Sequence, residues 1–217
     1  MNKSIAAVLL GLGMAGVAVA APLKGDATAG QAKAAACGAC HGMDGNSAAP
    51  TFPRLAGQSE RYIVKQLSDF KAGRRENPTM LGMAAGLSEQ DMADVAAYFS
   101  SQKAGVGFAK ADLAKKGEKI WRGGIPSAGV APCAGCHGPS GKGVPAAGFP
   151  RLGGQHADYV TAQLNAFRAA GRKDLNAPAY RRNDSEKPTE PGKMQMVAAK
   201  LGDEDIQALA SFIQGLH

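Results

Sequence analysis

The pentapeptide Cys-x-x-Cys-His occurs twice, as CGACH at 37–41 and CAGCH at 133–137, and these copies hold every cysteine of the chain. Whatever fold the chain adopts must present the same chemical arrangement in duplicate. The surrounding sequence repeats as well. FPRLAGQ at 52–58 returns as FPRLGGQ at 149–155, and Tyr62, Gln66, Leu67 and Phe70 return as Tyr159, Gln163, Leu164 and Phe167, all at an offset of 97. Further on, GLSEQDMADVAAYF at 86–99 is echoed by KLGDEDIQALASFI at 200–213, now at an offset of 114. The chain is a duplicated unit whose second copy carries insertions, the largest being the polar, proline-bearing stretch Lys173–Lys193. Two copies of a compact unit make two domains rather than a solenoid.

The first residues, MNKSIAAVLLGLGMAGVAVAA, have a short start with Lys3, an apolar run and the small residues Ala18-Val19-Ala20. That order predicts a secretory leader over residues 1–20, cleaved before Ala21. A membrane anchor is the competing reading, but the run from Ser4 to Ala20 contains three glycines and falls short of the ~20 apolar residues a span requires. Removing the leader leaves 197 residues, which suits two small domains, 21–104 and 105–217, joined near Gly105–Ala109. Small domains bury a modest share of their surface, and an apolar prosthetic group in each would relieve that shortage.

Each copy reads as mostly helical, so the expected fold class is all-α. Tyr62, Ile63, Gln66, Leu67 and Phe70 mark one helix face that Ser59 can cap and Gly73 can end. Ser88 with Asp91 forms a capping box before Met92, Val95, Ala96 and Phe99, and Asp203–Asp205 place carboxylates where the matching helix begins. Earlier helices are expected from about Asp26 into Cys37 and from about Lys110 to Arg122. No alternating strand pattern stands out. Each unit is then three or four short helices wrapped by glycine- and proline-rich loops.

Cys-x-x-Cys-His has a specific physical use. Two thiols about one helical turn apart add to the vinyl groups of haem, and the adjacent histidine lies against the iron. Paired Cys-x-x-Cys in a zinc ribbon usually stand ~15–20 residues apart, whereas these stand 96 apart. A thioredoxin-like redox pair wants a strand followed by a helix, and a disulfide between neighbours gives no reason for a histidine after both pairs. The motifs therefore predict two covalently bound c-type haems on Cys37, Cys40, Cys133 and Cys136, with His41 and His137 on the irons. That leaves no free thiol and no disulfide.

What occupies the sixth position of such an iron separates a carrier from a catalyst. Met80 and Met194 both precede the matching leucines, Leu87 and Leu201, by seven residues, and the repeat selects them as ligands. Met83 and Met196 read as apolar fillers near the haem edge. His156 and His217 are alternative nitrogen ligands without a counterpart in the first copy; His156 is expected to lie exposed at a helix start. A ligating imidazole needs an acceptor for its other nitrogen. Pro53 follows His41 by twelve residues and Pro150 follows His137 by thirteen, so each proline is either that backbone acceptor or a simple turn residue.

Cys37, Cys40 and His41 with Pro53, Leu55 and Met80 have the layout of class I cytochrome c, and the doubled arrangement closely resembles the dihaem cytochrome c4 family. The FPRLAGQ and FPRLGGQ segments, RGG at 122–124 and the ending SFIQGLH fit that family, over essentially the whole chain beyond the leader. The resemblance implies two tandem class I domains related by a pseudo-twofold axis, with the haem propionates near their interface. It also implies His–Met ligation at both irons and acceptor roles for the Pro53 and Pro150 carbonyls. The long loop Lys173–Lys193 departs from the first copy just before Met194.

With both axial positions filled, the expected activity is not enzymatic but electron carriage in the periplasm. The family implies a quinol-oxidising bc-type complex as donor and a haem-copper terminal oxidase as acceptor. The rival readings are a relay subunit of a larger oxidoreductase and a haem enzyme with one open iron. Loss of Lys3 lowers the formal charge from +7 to +6, and the half after residue 104 carries 15 basic and 10 acidic residues against 9 and 8 before it. The basic residues are scattered and aromatics few, which argues against nucleic acid as partner. Peripheral contact with a membrane surface stays open.

Overall fold

The computed structural model describes residues 23–185, 187 and 189–217, so the expected leader lies outside the described residues. The chain forms two helical units in tandem. In the first, α1 (Ala27–Lys33), α2 (Ala35–His41), α3 (Glu60–Lys71), α4 (Pro78–Ala85) and α5 (Glu89–Ser101) follow one another. In the second, α6 (Ala111–Gly123), α7 (Ala134–His137), α8 (Ala157–Arg172), α9 (Lys193–Ala198) and α10 (Asp203–Gly215) repeat that order. Among the described residues there is no strand, only the isolated bridges Ile125–Val130 and Val144–Phe149.

Local signals start the helices. Asp26 caps α1 through Thr28 N and Ala29 N, Ser59 caps α3 through Tyr62 N, and Ser88 with Asp91 closes a reciprocal box on α5. Each cap satisfies amides that have no partner inside the helix and contributes about 1 kcal/mol. Five helices per unit appear where three or four were expected. The first helix breaks at Ala34, and a short helix forms before each matching leucine, as α4 and α9.

In each unit the first helix crosses the last: α1 packs on α5, and α6 on α10. Glycine makes the crossing close. A Cβ on Gly30 would stand 2.0 Å from the Asp94 carbonyl oxygen, and one on Gly117 would stand 2.2 Å from that of Ala208. The cores lie beside these crossings. Ile63, Leu67, Phe70, Met92, Val95 and Phe99 form the first; Ile120, Trp121, Leu164, Leu201, Ile206 and Leu209 belong to the second.

The segment between α5 and α6 is tied down rather than free. Gly105 N donates to Asn46 Oδ1 at 2.7 Å, and Gln214 Nε2 donates to the Phe108 carbonyl at 2.9 Å. The units themselves meet through their FPRL segments. Gln58 accepts from Arg151 N at 2.9 Å and donates to the Arg151 carbonyl at 2.9 Å. Gln155 does the same to Arg54, at 2.8 and 2.9 Å. Arg54 and Arg151, like Gln58 and Gln155, are 97 residues apart, so the exchange is that of a twofold axis.

A second layer of the interface follows the same symmetry. Arg75 lies over the Phe70 ring and donates to Gln66 of its own unit and to Tyr159 and Gln163 of the other. Arg181 lies over Phe167 and donates to Gln163 of its own unit and to Tyr62 and Gln66 of the other. Its place in the chain is shifted by the insertion, yet its place in space is that of Arg75.

His156 corrects the expectation of an exposed side chain. It does stand at the start of α8, but it is buried, with Nε2 at 2.8 Å from the Ser47 carbonyl and 3.0 Å from Ser47 Oγ. The partner belongs to the other unit, so the contact is invisible in the helix that carries the histidine.

Candidate functional site

His41 is the last residue of α2 and His137 the last of α7. Gly42 and Gly138 follow at φ +80, with ψ 146 and 157, a region essentially closed to residues with a side chain. The chain therefore leaves each helix abruptly, and the histidine is left facing its own unit. His41 Nδ1 lies 2.9 Å from the Pro53 carbonyl oxygen and His137 Nδ1 lies 3.0 Å from that of Pro150. Both prolines are thus acceptors, and Nδ1 is the donor. Nε2 is the ring nitrogen left for a metal, with orientation fixed by the second bond. Burial lowers the pKa of both imidazoles, which the proline carbonyls partly oppose, so the neutral form that ligates metal is favoured.

Phe52 and Phe149, the first letters of the FPRL segments, stand edge-on to the histidine rings at 6.2 and 6.0 Å. In the second unit Trp121 adds a face, 6.3 Å from the His137 ring and held by its Nε1 donating to the Pro139 carbonyl. The four FPRL residues divide the work among them. Phenylalanine packs on the imidazole, proline orients it, arginine is gripped by the opposite glutamine, and leucine meets the core or its edge.

Cys37 and Met80 pack against the core of the first unit, and Cys133 and Met194 against that of the second. Cys40 is half-buried and Cys136 exposed, and neither packs on a core. Met83 and Met196 are 40% and 50% exposed, and His217 is exposed at the chain end. The Met80 and Met194 amides are each capped. Met80 N donates to Asn77 Oδ1 at 2.9 Å, and Met194 N donates to Asp184 Oδ2 at 2.6 Å.

These surroundings fit haem. All four cysteines are free of disulfides. Burial raises the Cys37 thiol and pushes the Cys133 thiol up to about 11. No group of three or more His, Cys, Asp or Glu that could hold a metal ion gathers among the described residues. Leu81, Met83, Val144 and Met196 leave apolar surface uncovered, as an apolar macrocycle would require. The Nε atoms of Arg54 and Arg151 are buried donors without a protein acceptor, a twofold-related pair suited to carboxylates such as the propionates. Partial burial lowers the Arg151 pKa.

Several of these residues escape a sequence reading. Asn77-Pro78 ahead of Met80 is a helix start that could have been found. Gln58 and Gln155 close the repeated FPRLAGQ and FPRLGGQ segments, but the repeat does not say what they grip, and Arg181 and Asp184 carry no local signal.

The cytochrome c family model matches residues 27–103 and 114–217, one span per unit. Cytochrome c4 of Pseudomonas aeruginosa is 53% identical over 217 residues, covering all of both chains. The crystal structure of reduced recombinant cytochrome c4 from Pseudomonas stutzeri superposes with a TM-score of 0.81 at 53% identity, over 89% of this chain and all of that one. A thiosulfate dehydrogenase electron acceptor of Stutzerimonas stutzeri is 41% identical over 193 residues, covering 82% of this chain and 78% of that protein. No described helix is long and apolar enough to cross a membrane. Duplicated Cys-x-x-Cys-His centres, proline-oriented histidines and full-length similarity together place the chain in the cytochrome c4 family of dihaem electron-transfer proteins, binding two c-type haems.

Proposed function

We propose that the protein is a periplasmic carrier of up to two electrons, taking them from a quinol-oxidising bc-type complex and delivering them to a haem-copper terminal oxidase. In this reading residues 1–20 are the export leader, and 21–104 and 105–217 are the two haem domains. Cys37 and Cys40 hold one haem through thioethers, and Cys133 and Cys136 the other. His41 with Met80 and His137 with Met194 would ligate the two irons. The bound haem supplies one-electron chemistry at iron, and a methionine ligand favours the reduced state.

The observation that carries the reading is the pair of histidines oriented by Pro53 and Pro150, each in a unit whose core also seats a methionine. With haem bound, these residues would ligate the iron, leave substrate no place on it and keep the site little changed through a redox cycle. The arginines at the interface offer the propionates a cationic setting between the domains.

The test is the visible spectrum of the dithionite-reduced protein with and without carbon monoxide, on a sample whose haem content has been counted. Two haems per chain and no spectral change are expected. A change in half of the signal would mean an open iron, and the carrier reading would give way to a haem enzyme.

A relay within a larger oxidoreductase is the second reading, favoured by the similarity to a thiosulfate dehydrogenase electron acceptor. Reduction by such a dehydrogenase much faster than by the bc-type complex would support it.

A further inference from the structure

The insertion that separates α8 from α9 runs back across the interface. Asn183 Nδ2 donates to Gln66 Oε1 at 3.0 Å and to Asp69 Oδ2 at 2.7 Å, both on α3 of the first domain. The Asn183 carbonyl accepts from Lys65 Nζ. Arg181, two residues earlier, reaches Tyr62 of the same helix at 2.8 Å. Arg181, Asn183 and Asp69 are all buried, so the hold is made out of water.

The next residue, Asp184, turns the other way. Its Oδ2 accepts from Met194 N at 2.6 Å and Gln195 N at 3.3 Å, while Oδ1 accepts from Gln195 Nε2 at 2.7 Å. In the first domain the cap on Met80 N comes from Asn77, three residues upstream. In the second, the N-cap position is Gly192, which has no side chain to offer, and the cap comes from ten residues away. The glycine is also what admits the carboxylate: a Cβ at 192 would lie 2.1 Å from Asp184 Cγ.

We propose that the insertion is a strap through which the first domain sets the position of Met194, with Asp184 as its positioning residue. α3 holds Asn183, the peptide link carries that hold to Asp184, and Asp184 fixes the first turn of α9. The strap replaces the local cap found in the first domain with one anchored across the interface. The two methionines are thus held by different means: the first by a cap three residues upstream in its own domain, the second by a carboxylate whose neighbour Asn183 is anchored on the other domain.

The proposal rests on Met194 as the second axial ligand, so the experiment tests both. The holoprotein with both haems is compared with M194A, D184A, D184N, G192A and N183A. Three readouts are taken: the sulfur-to-iron charge-transfer band of the oxidised protein, carbon monoxide binding by the reduced protein, and the two midpoint potentials. M194A should remove about half of the band, one haem of two. D184A should weaken the band toward that level, admit carbon monoxide at one haem and lower one potential while leaving the other unchanged. D184N, which keeps an acceptor oxygen, should restore the wild-type values. G192A removes no functional group but displaces the Asp184 carboxylate, and it should act like D184A; it decides the matter where D184A fails to retain haem. N183A should shift the same haem by less. If M194A halves the band but D184A and G192A match the wild type in all three readouts, the strap is overturned and the ligand stands. If M194A leaves the band whole, the ligand assignment fails and takes the strap with it.

Discussion

Gln58 and Gln155 each satisfy both backbone groups of an arginine in the other domain, and each Oε1 also accepts from the next residue of its own chain, Ser59 or His156. Removing one amide leaves a donor and an acceptor unpaired at a buried seam, where each costs about 1–3 kcal/mol. Gln58→Ala and Gln155→Ala should therefore destabilise the holoprotein by similar amounts in guanidinium unfolding. The double variant should cost less than the sum, because the two grips share one seam. At this scale the two haem-attachment motifs were legible, and for a physical reason: Cys37 and Cys40, like Cys133 and Cys136, act as one contiguous group, so spacing carries the chemistry. His156 was not. Its partner, Ser47, stands 109 residues away, and a residue read only against its own helix start looks solvated.

Helices α1 and α5, and likewise α6 and α10, approach to backbone contact at a single glycine each. Alanine at Gly30 or Gly117 would force the helices apart, since the opposing atom is a carbonyl and cannot rotate away. Each substitution should cost about 1–3 kcal/mol or more, lowering the melting temperature by about 2–4 °C per kcal/mol for a chain of this size. Gly123→Ala, on the same helix as Gly117 but with nothing within 4 Å, is the control and should cost little. Element starts such as Ser59 and Ser88–Asp91 could be read because a cap lies within three residues of what it caps. The crossings could not, because which glycine is approached depends on how two helices far apart in sequence are laid over one another. The break of the first helix at Ala34 had no breaker residue to announce it, whereas Pro132 and Gly138 bound the single turn of α7.

Over the whole molecule, the duplication was plain in the sequence, but its purpose at the FPRL segments was only half visible. The motif serves the haem side and the interface side at once, and spacing reports only the former. Net charge without the leader falls from +7 to +6 with the loss of Lys3. Ionised propionates, two per haem, cancel most of it, so local patches govern docking more than the total does. The second domain carries the basic excess. Electron transfer to an acidic partner should therefore slow as ionic strength rises and the Debye length shrinks to about 8 Å at physiological salt. Stopped-flow rates that stay flat across a salt series would mean that this excess does not steer docking. The glutamine grips have a different consequence. Identical residues used in opposite senses are the geometry of a symmetric dimer, here written into one chain whose tether makes the second contact intramolecular. Pairing of the two irons is then independent of how dilute the protein becomes, and a single molecule meets any electron-transfer partner with both redox centres already assembled.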